Sequence, residues 1–150
     1  MEIHPIKEFM HNMYFWAALA SWFLAQSIKV AYNCYKQKRF DFRWFLETGG
    51  MPSSHTSAVT TMTAMFGAHF GFASPIFALS VLLAIITMSD AAGVRRAAGK
   101  QARVLNQILD DVSHHKKVKA KKLRELLGHS PVEVFAGIAL GIFVAILFCS

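Results

Sequence analysis

The run Ile76-Phe77-Ala78-Leu79-Ser80-Val81-Leu82-Leu83-Ala84-Ile85-Ile86 decides how the chain reads. It carries no charge, and the pattern predicts a helix from about Pro75 through Met88, the clearest apolar core of the sequence. The composition agrees: 54% of residues are hydrophobic, with 13 Phe, 7 Met and 3 Trp. Because the apolar residues are gathered into blocks, the class is an integral membrane protein and not a soluble one. The formal net charge of +7 suits nucleic acid, anionic lipid or an anionic substrate. With spanning helices present, lipid is the better partner, and nucleic-acid binding is set aside.

Working outward from that helix, Gly71 to Pro75 is a short turn, and a second helix precedes it from about Ser54 to Phe72. This helix is rich in small and hydroxyl residues (Thr56, Ser57, Thr60, Thr61, Thr63, Gly67), too weakly apolar to face lipid all round. Small residues of this kind favour tight packing inside a bundle. His69 lies on it, far in height from His55, and reads as a packed or interfacial histidine. Upstream, residues 33–53 form a polar loop with Lys36, Lys38, Arg39 and Arg43. The first span runs from about Met13 to Tyr32, with Lys29 near its end, where it can snorkel. Residues 1–12 read as a short amphipathic helix at the interface. The first apolar run lacks the basic start and the cleavage site of a signal peptide.

Downstream, Asp90 stands at the edge of the hydrocarbon, where a carboxylate is expensive unless paired; Arg95 and Arg96 are its candidate partners. Residues 97–128 are polar and helical. Val104, Leu105, Ile108, Leu109 and Val112 recur on one face, as in helices lying on a membrane. The pair His114-His115 points in two directions on a helix and has no companion ligands, so no metal site is read there. The fourth span starts at Pro131 and runs to about Phe148. The two cysteines, Cys34 and Cys149, have no metal-ligand or disulfide spacing, and this topology puts them on opposite sides of the membrane. The expected fold is one all-α domain over residues 1–150. It is an integral membrane helical bundle with about four spanning helices plus interfacial amphipathic helices.

Alternating spans put the loops 33–53 and 91–130 on one side. Nearly all the basic residues lie there, so the positive-inside rule assigns that side to the cytoplasm of an inner or plasma membrane. The same face collects Gly49-Gly50-Met51-Pro52-Ser53-Ser54-His55-Thr56-Ser57. Glycines permit close backbone approach there, and Ser53 and Ser54 are natural caps for a new helix. A helix start of this composition is a ready site for a phosphate-like anion, with the titratable His55 beside it; the plain alternative is an ordinary capped helix. His129 and Glu133 stand at i and i+4 across another helix start on the same face. A histidine whose second ring nitrogen is oriented by a carboxylate can act as a nucleophile toward phosphorus. His55 suits a general acid, and Lys36, Arg43 and a third cation suit a clamp on the phosphoryl oxygens. No cofactor or metal is required.

These residues resemble the motifs of the phosphatidic acid phosphatase type 2 superfamily, and more closely its small divergent membrane branch. Lys36-Gln37-Lys38-Arg39-Phe40-Asp41-Phe42-Arg43 keeps the spacing of that superfamily's Lys-x6-Arg-Pro motif, with Trp44 in place of proline. Pro52-Ser53-Ser54-His55 is similar to Pro-Ser-Gly-His. Gly128-His129-Ser130-Pro131-Val132-Glu133 is similar to the end of Ser-Arg-x5-His-x3-Asp, with glutamate for aspartate. Leu123 stands where that motif has its arginine, and Arg124 follows it; Arg95 or Arg96 are other candidates for the role. The segments Gly49 to Ser57, Asp90 to Lys100 and Leu126 to His129 also resemble the divergent branch, over most of residues 43–141. The resemblance implies His129 as nucleophile, Glu133 as its orienting carboxylate and His55 as general acid. It implies Lys36, Arg43, Ser53 and the Ser54 amide as phosphate binders. The function expected is a membrane lipid phosphate phosphatase acting on a phosphatidylglycerophosphate- or phosphatidic-acid-like substrate. The alternative is a non-catalytic membrane protein that binds anionic headgroups or scaffolds a complex.

Overall fold

The computed structural model describes residues 5–45, 50–115 and 128–150. Those residues form helices α1 (Pro5–Met10), α2 (Met13–Gln37), α3 (Ser54–Phe70), α4 (Pro75–Ser89), α5 (Arg95–His115) and α6 (Pro131–Cys149), with a 3-10 turn at Phe42–Phe45. The starts follow local chemistry. Asn12, Ser53, Ser74 and Ser130 cap α2, α3, α4 and α6, each accepting a first-turn N–H through its side chain. Pro75 and Pro131 occupy the first helical position, where a missing N–H costs nothing.

Two boundaries differ from the sequence reading. The first span does not stop at Tyr32 but continues to Gln37, because residues 33–37 contain no breaker and the helix ends only where Lys38 turns left-handed. The third helix does not end near Met88. It passes through a π-helical segment, Asp90–Val94, directly into α5. No proline interrupts the junction, Gly93 costs only about 1 kcal/mol in a helix, and one wider turn absorbs the local mismatch.

Helix α3 is central and packs against α2, α4 and α6. It runs antiparallel to α2: the Ser21 and Ser57 hydroxyls meet at 2.6 Å, and Tyr14 packs its ring against Phe66 and Phe70 near the far end. His69 belongs to that far cluster, edge-on to Tyr14 at 5.6 Å. It runs parallel to α6, and here the fit is closest. Gly137 and Gly141 stand one turn apart on α6. A Cβ at Gly141 would lie 2.5 Å from the Ser57 carbonyl oxygen and 2.7 Å from Thr60 Cβ; one at Gly137 would lie 2.7 Å from the Ser53 carbonyl oxygen. Thr61 seals the contact: its hydroxyl proton is shared between the Ser57 carbonyl of its own helix at 2.9 Å and the Gly141 carbonyl at 3.0 Å. This is the small-residue packing by which membrane helices approach closely.

The bundle is inverted relative to a soluble domain. Its most buried side chains include Ser21, Ser53, Ser54, Thr56, Ser57 and Thr61, while Leu79, Leu82, Leu83, Ile85, Ile86, Phe135, Phe143, Ile146 and Leu147 face outward. An exterior of that kind is stable only where the surroundings are themselves apolar. Among the described residues, two helices are long and apolar enough to cross a membrane: the continuous helix from Pro75 and α6. The other two bundle helices, α2 and α3, meet through polar residues, Ser21 with Ser57 and Lys29 with Ser54. The chain is an all-α membrane helical bundle, and this packing brings the starts of α3 and α6 and the π segment together at one end.

Candidate functional site

His129 is placed by backbone first. Gly128 adopts φ +95°, a conformation that a side chain would resist. The His129 N–H then donates to the Ala91 carbonyl in the π segment at 2.8 Å. The imidazole is buried, with Nδ1 2.8 Å from Glu133 Oε2. The same carboxylate oxygen accepts the Ser130 N–H at 3.2 Å, and Ser130 Oγ accepts the Glu133 N–H at 3.4 Å. Glu133 is therefore both the reciprocal member of a capping box and the carboxylate that orients His129. With Nδ1 committed to Glu133, Nε2 is the ring nitrogen left for a reacting group.

The start of α3 is locked to that pair. The Ser53 N–H donates to the Glu133 carbonyl at 3.0 Å, one turn before the Gly137 contact. Ser53 Oγ accepts from the Thr56 N–H and, at 2.9 Å, from the Thr56 hydroxyl. The Ser53 hydroxyl thus serves as the helix cap. Ser54 Oγ accepts from Lys29 Nζ at 3.3 Å. Lys29 does not snorkel: it is 3% exposed, its stem passes close to Gly50, and its ammonium lies within the electrostatic reach of Glu133.

Lys29 is the residue that motif spacing passes over. It precedes Lys36 by two helical turns, on the same side of α2 and about 10 Å deeper. Lys36 itself is exposed in the last turn of α2. A signal for Lys29 exists: an ionisable residue within an apolar span is a functional candidate by default. The remaining sequence candidates fall as follows. His55 is exposed in the first turn of α3. Arg43 stands in the 3-10 turn after α2. Asp90 is half-buried at the head of the π segment, and Arg95 and Arg96 open α5 immediately after it. The side chains of Arg43, Arg95 and Arg96 lie outside the described part, and Arg124 and Gly49 lie outside the described residues. The site thus joins an oriented imidazole, a buried ammonium and the N-terminus of a long helix. That combination is suited to a phosphorylated ligand.

Residues 10–144 match the family described as the Divergent PAP2 family. The chain is also 40% identical, over 93% of its length and 96% of the relative's, to the uncharacterized membrane protein YuiD of Bacillus subtilis (strain 168). No solved structure matches.

Proposed function

The chain belongs to the Divergent PAP2 family, and from that premise we propose that it is an integral-membrane lipid phosphate phosphatase working through a phosphohistidine intermediate. The observation that carries this reading is the pairing of buried His129 with half-buried Glu133, 2.8 Å apart, bonded through the Ser53 N–H to the helix start whose Ser54 holds Lys29. His129 Nε2 attacks the phosphorus of a phosphomonoester as the bond to the lipid alcohol breaks. Glu133 stabilises the imidazole as it gains positive charge. His55 gives a proton to the departing alkoxide. It then takes one from a water that attacks the phosphohistidine, releasing inorganic phosphate and restoring His129.

Lys29, Arg43 and the first amides of α3 offset the charge on the equatorial oxygens. Arg95, Arg96 and Arg124 are candidates for the remaining cation, and Asp90 is a candidate partner for Arg95 or Arg96. Lys36, exposed two turns beyond Lys29, draws the anion in. The basic residues of the loops support a cytoplasmic orientation for this face by the positive-inside rule, which favours phosphatidylglycerophosphate- or phosphatidic-acid-like substrates made there.

The test is phosphate release from a panel of lipid phosphates in detergent, by wild type and by His129→Ala, with and without chelator. Turnover that His129→Ala abolishes and chelator leaves intact is the expected result. Headgroup binding without turnover on any substrate would replace this reading with the non-catalytic one.

A further inference from the structure

The connection between α2 and α3 carries Arg43 in the 3-10 turn Phe42–Phe45, and this turn is buried at Trp44 and seated on α2 by two contacts of Phe45. Trp44 is 5% exposed. The Phe45 ring meets that of Phe23 with centroids 6.3 Å apart. The Phe45 carbonyl accepts a hydrogen bond from Gln26 Nε2 at 2.7 Å. Gln26 stands three residues before Lys29, on the same side of α2, and both are 3% exposed.

The other half of the Gln26 amide is more telling. Among the described residues its Oε1 is buried without a hydrogen-bond partner. An orphaned acceptor is a standing cost, which an apolar residue of similar volume, such as methionine, would not incur. Packing alone therefore does not call for an amide here. What the amide does that methionine cannot is donate to Phe45 O, and that bond ties the backbone next to Arg43 to the helix that carries Lys29.

We infer that Gln26 is a positioning residue: it fixes the backbone of the Arg43-bearing turn against the middle of α2, one helical turn from Lys29, and the contribution of Arg43 to phosphoryl binding depends on that bond. This rests on the phosphatase reading for its consequence and on the Gln26–Phe45 bond for its mechanism. Gln26 touches no substrate. Its effect passes wholly through Arg43, which separates it from a residue that merely supports the bundle.

The experiment is a double-mutant cycle of Gln26→Met and Arg43→Ala, read by the kcat and KM of lipid phosphate hydrolysis and by the binding of inorganic phosphate. Gln26→Met should lower kcat/KM about tenfold to a hundredfold, the scale of a small misplacement. It should leave the unfolding midpoint unchanged or raised and have no further effect when Arg43 is already alanine. An equal loss in the Arg43→Ala background, or wild-type kinetics in Gln26→Met, overturns the inference and leaves the phosphatase reading standing. If wild type turns over no substrate, the phosphatase reading falls and phosphate affinity decides the inference. A loss shared by the single variants and not deepened in the double supports it; additive losses, or no phosphate binding, sink it.

Discussion

Gly141→Ala tests the packing on which the candidate site depends. The added Cβ would lie 2.5 Å from the Ser57 carbonyl oxygen and 2.7 Å from Thr60 Cβ, both on α3. Ordinary contact begins near 3.4 Å, so α3 and α6 must part by about 0.9 Å at this level. Overpacking of that kind costs about 1–3 kcal/mol. The bond from Thr61 Oγ1 to the Gly141 carbonyl lengthens with it, losing about 1 kcal/mol. Alanine's better helix propensity returns about 1 kcal/mol. The net expectation is a loss of about 1–3 kcal/mol. The assay is equilibrium unfolding in mixed micelles followed by helical circular dichroism. Gly93→Ala serves as the control, because a Cβ there meets nothing within 4 Å. Gly141 lies on the helix that begins with Glu133 in its first turn, so phosphate release should also fall, about tenfold for a sub-ångström displacement. A wild-type midpoint for Gly141→Ala, or equal damage from Gly93→Ala, would refute close α3–α6 packing.

Glu133→Gln keeps a residue able to close the capping box but removes the charge beside His129; unfolding should be little changed while kcat drops about 10²- to 10⁴-fold. Lys29→Met should cost phosphate release about 10²-fold or more without weakening the bundle, since an apolar side chain replaces a buried ammonium. Lys36→Met should act chiefly on KM at low salt, so comparing the two variants shows which lysine grips the phosphoryl group. Ser130→Ala removes the cap of α6 and should lower stability by about 1 kcal/mol, with a fall in turnover smaller than that of Glu133→Gln.

Local chemistry is legible in the residues themselves. His129 and Glu133 stand four residues apart across a proline-started helix, so their meeting needs only helical geometry. The caps at Ser53 and Ser130 are equally local. The presence of Lys29 in an apolar span marks it as a candidate, but its inward turn is not legible: whether a lysine near the end of a span snorkels or turns inward depends on what packs against it, and that is Ser54, 25 residues later. The continuity of α4 with α5 escapes the sequence for a different reason. A polar sequence after an apolar one marks a change of surroundings, which a helix can cross without ending.

The sequence by itself determined the class, an all-α membrane bundle, because blocks of apolar residues long enough for the hydrocarbon admit few other structures. It also determined the local pairing at the start of α6. Alternating spans put the starts of α3 and α6 on one face, and tertiary structure alone decided how they meet: the parallel contact of α3 with Gly137 and Gly141 of α6, the Ala91 carbonyl that receives the His129 N–H, and the inward turn of Lys29. Each joins residues far apart in the chain, and the distance between two helices is set by the shapes of both.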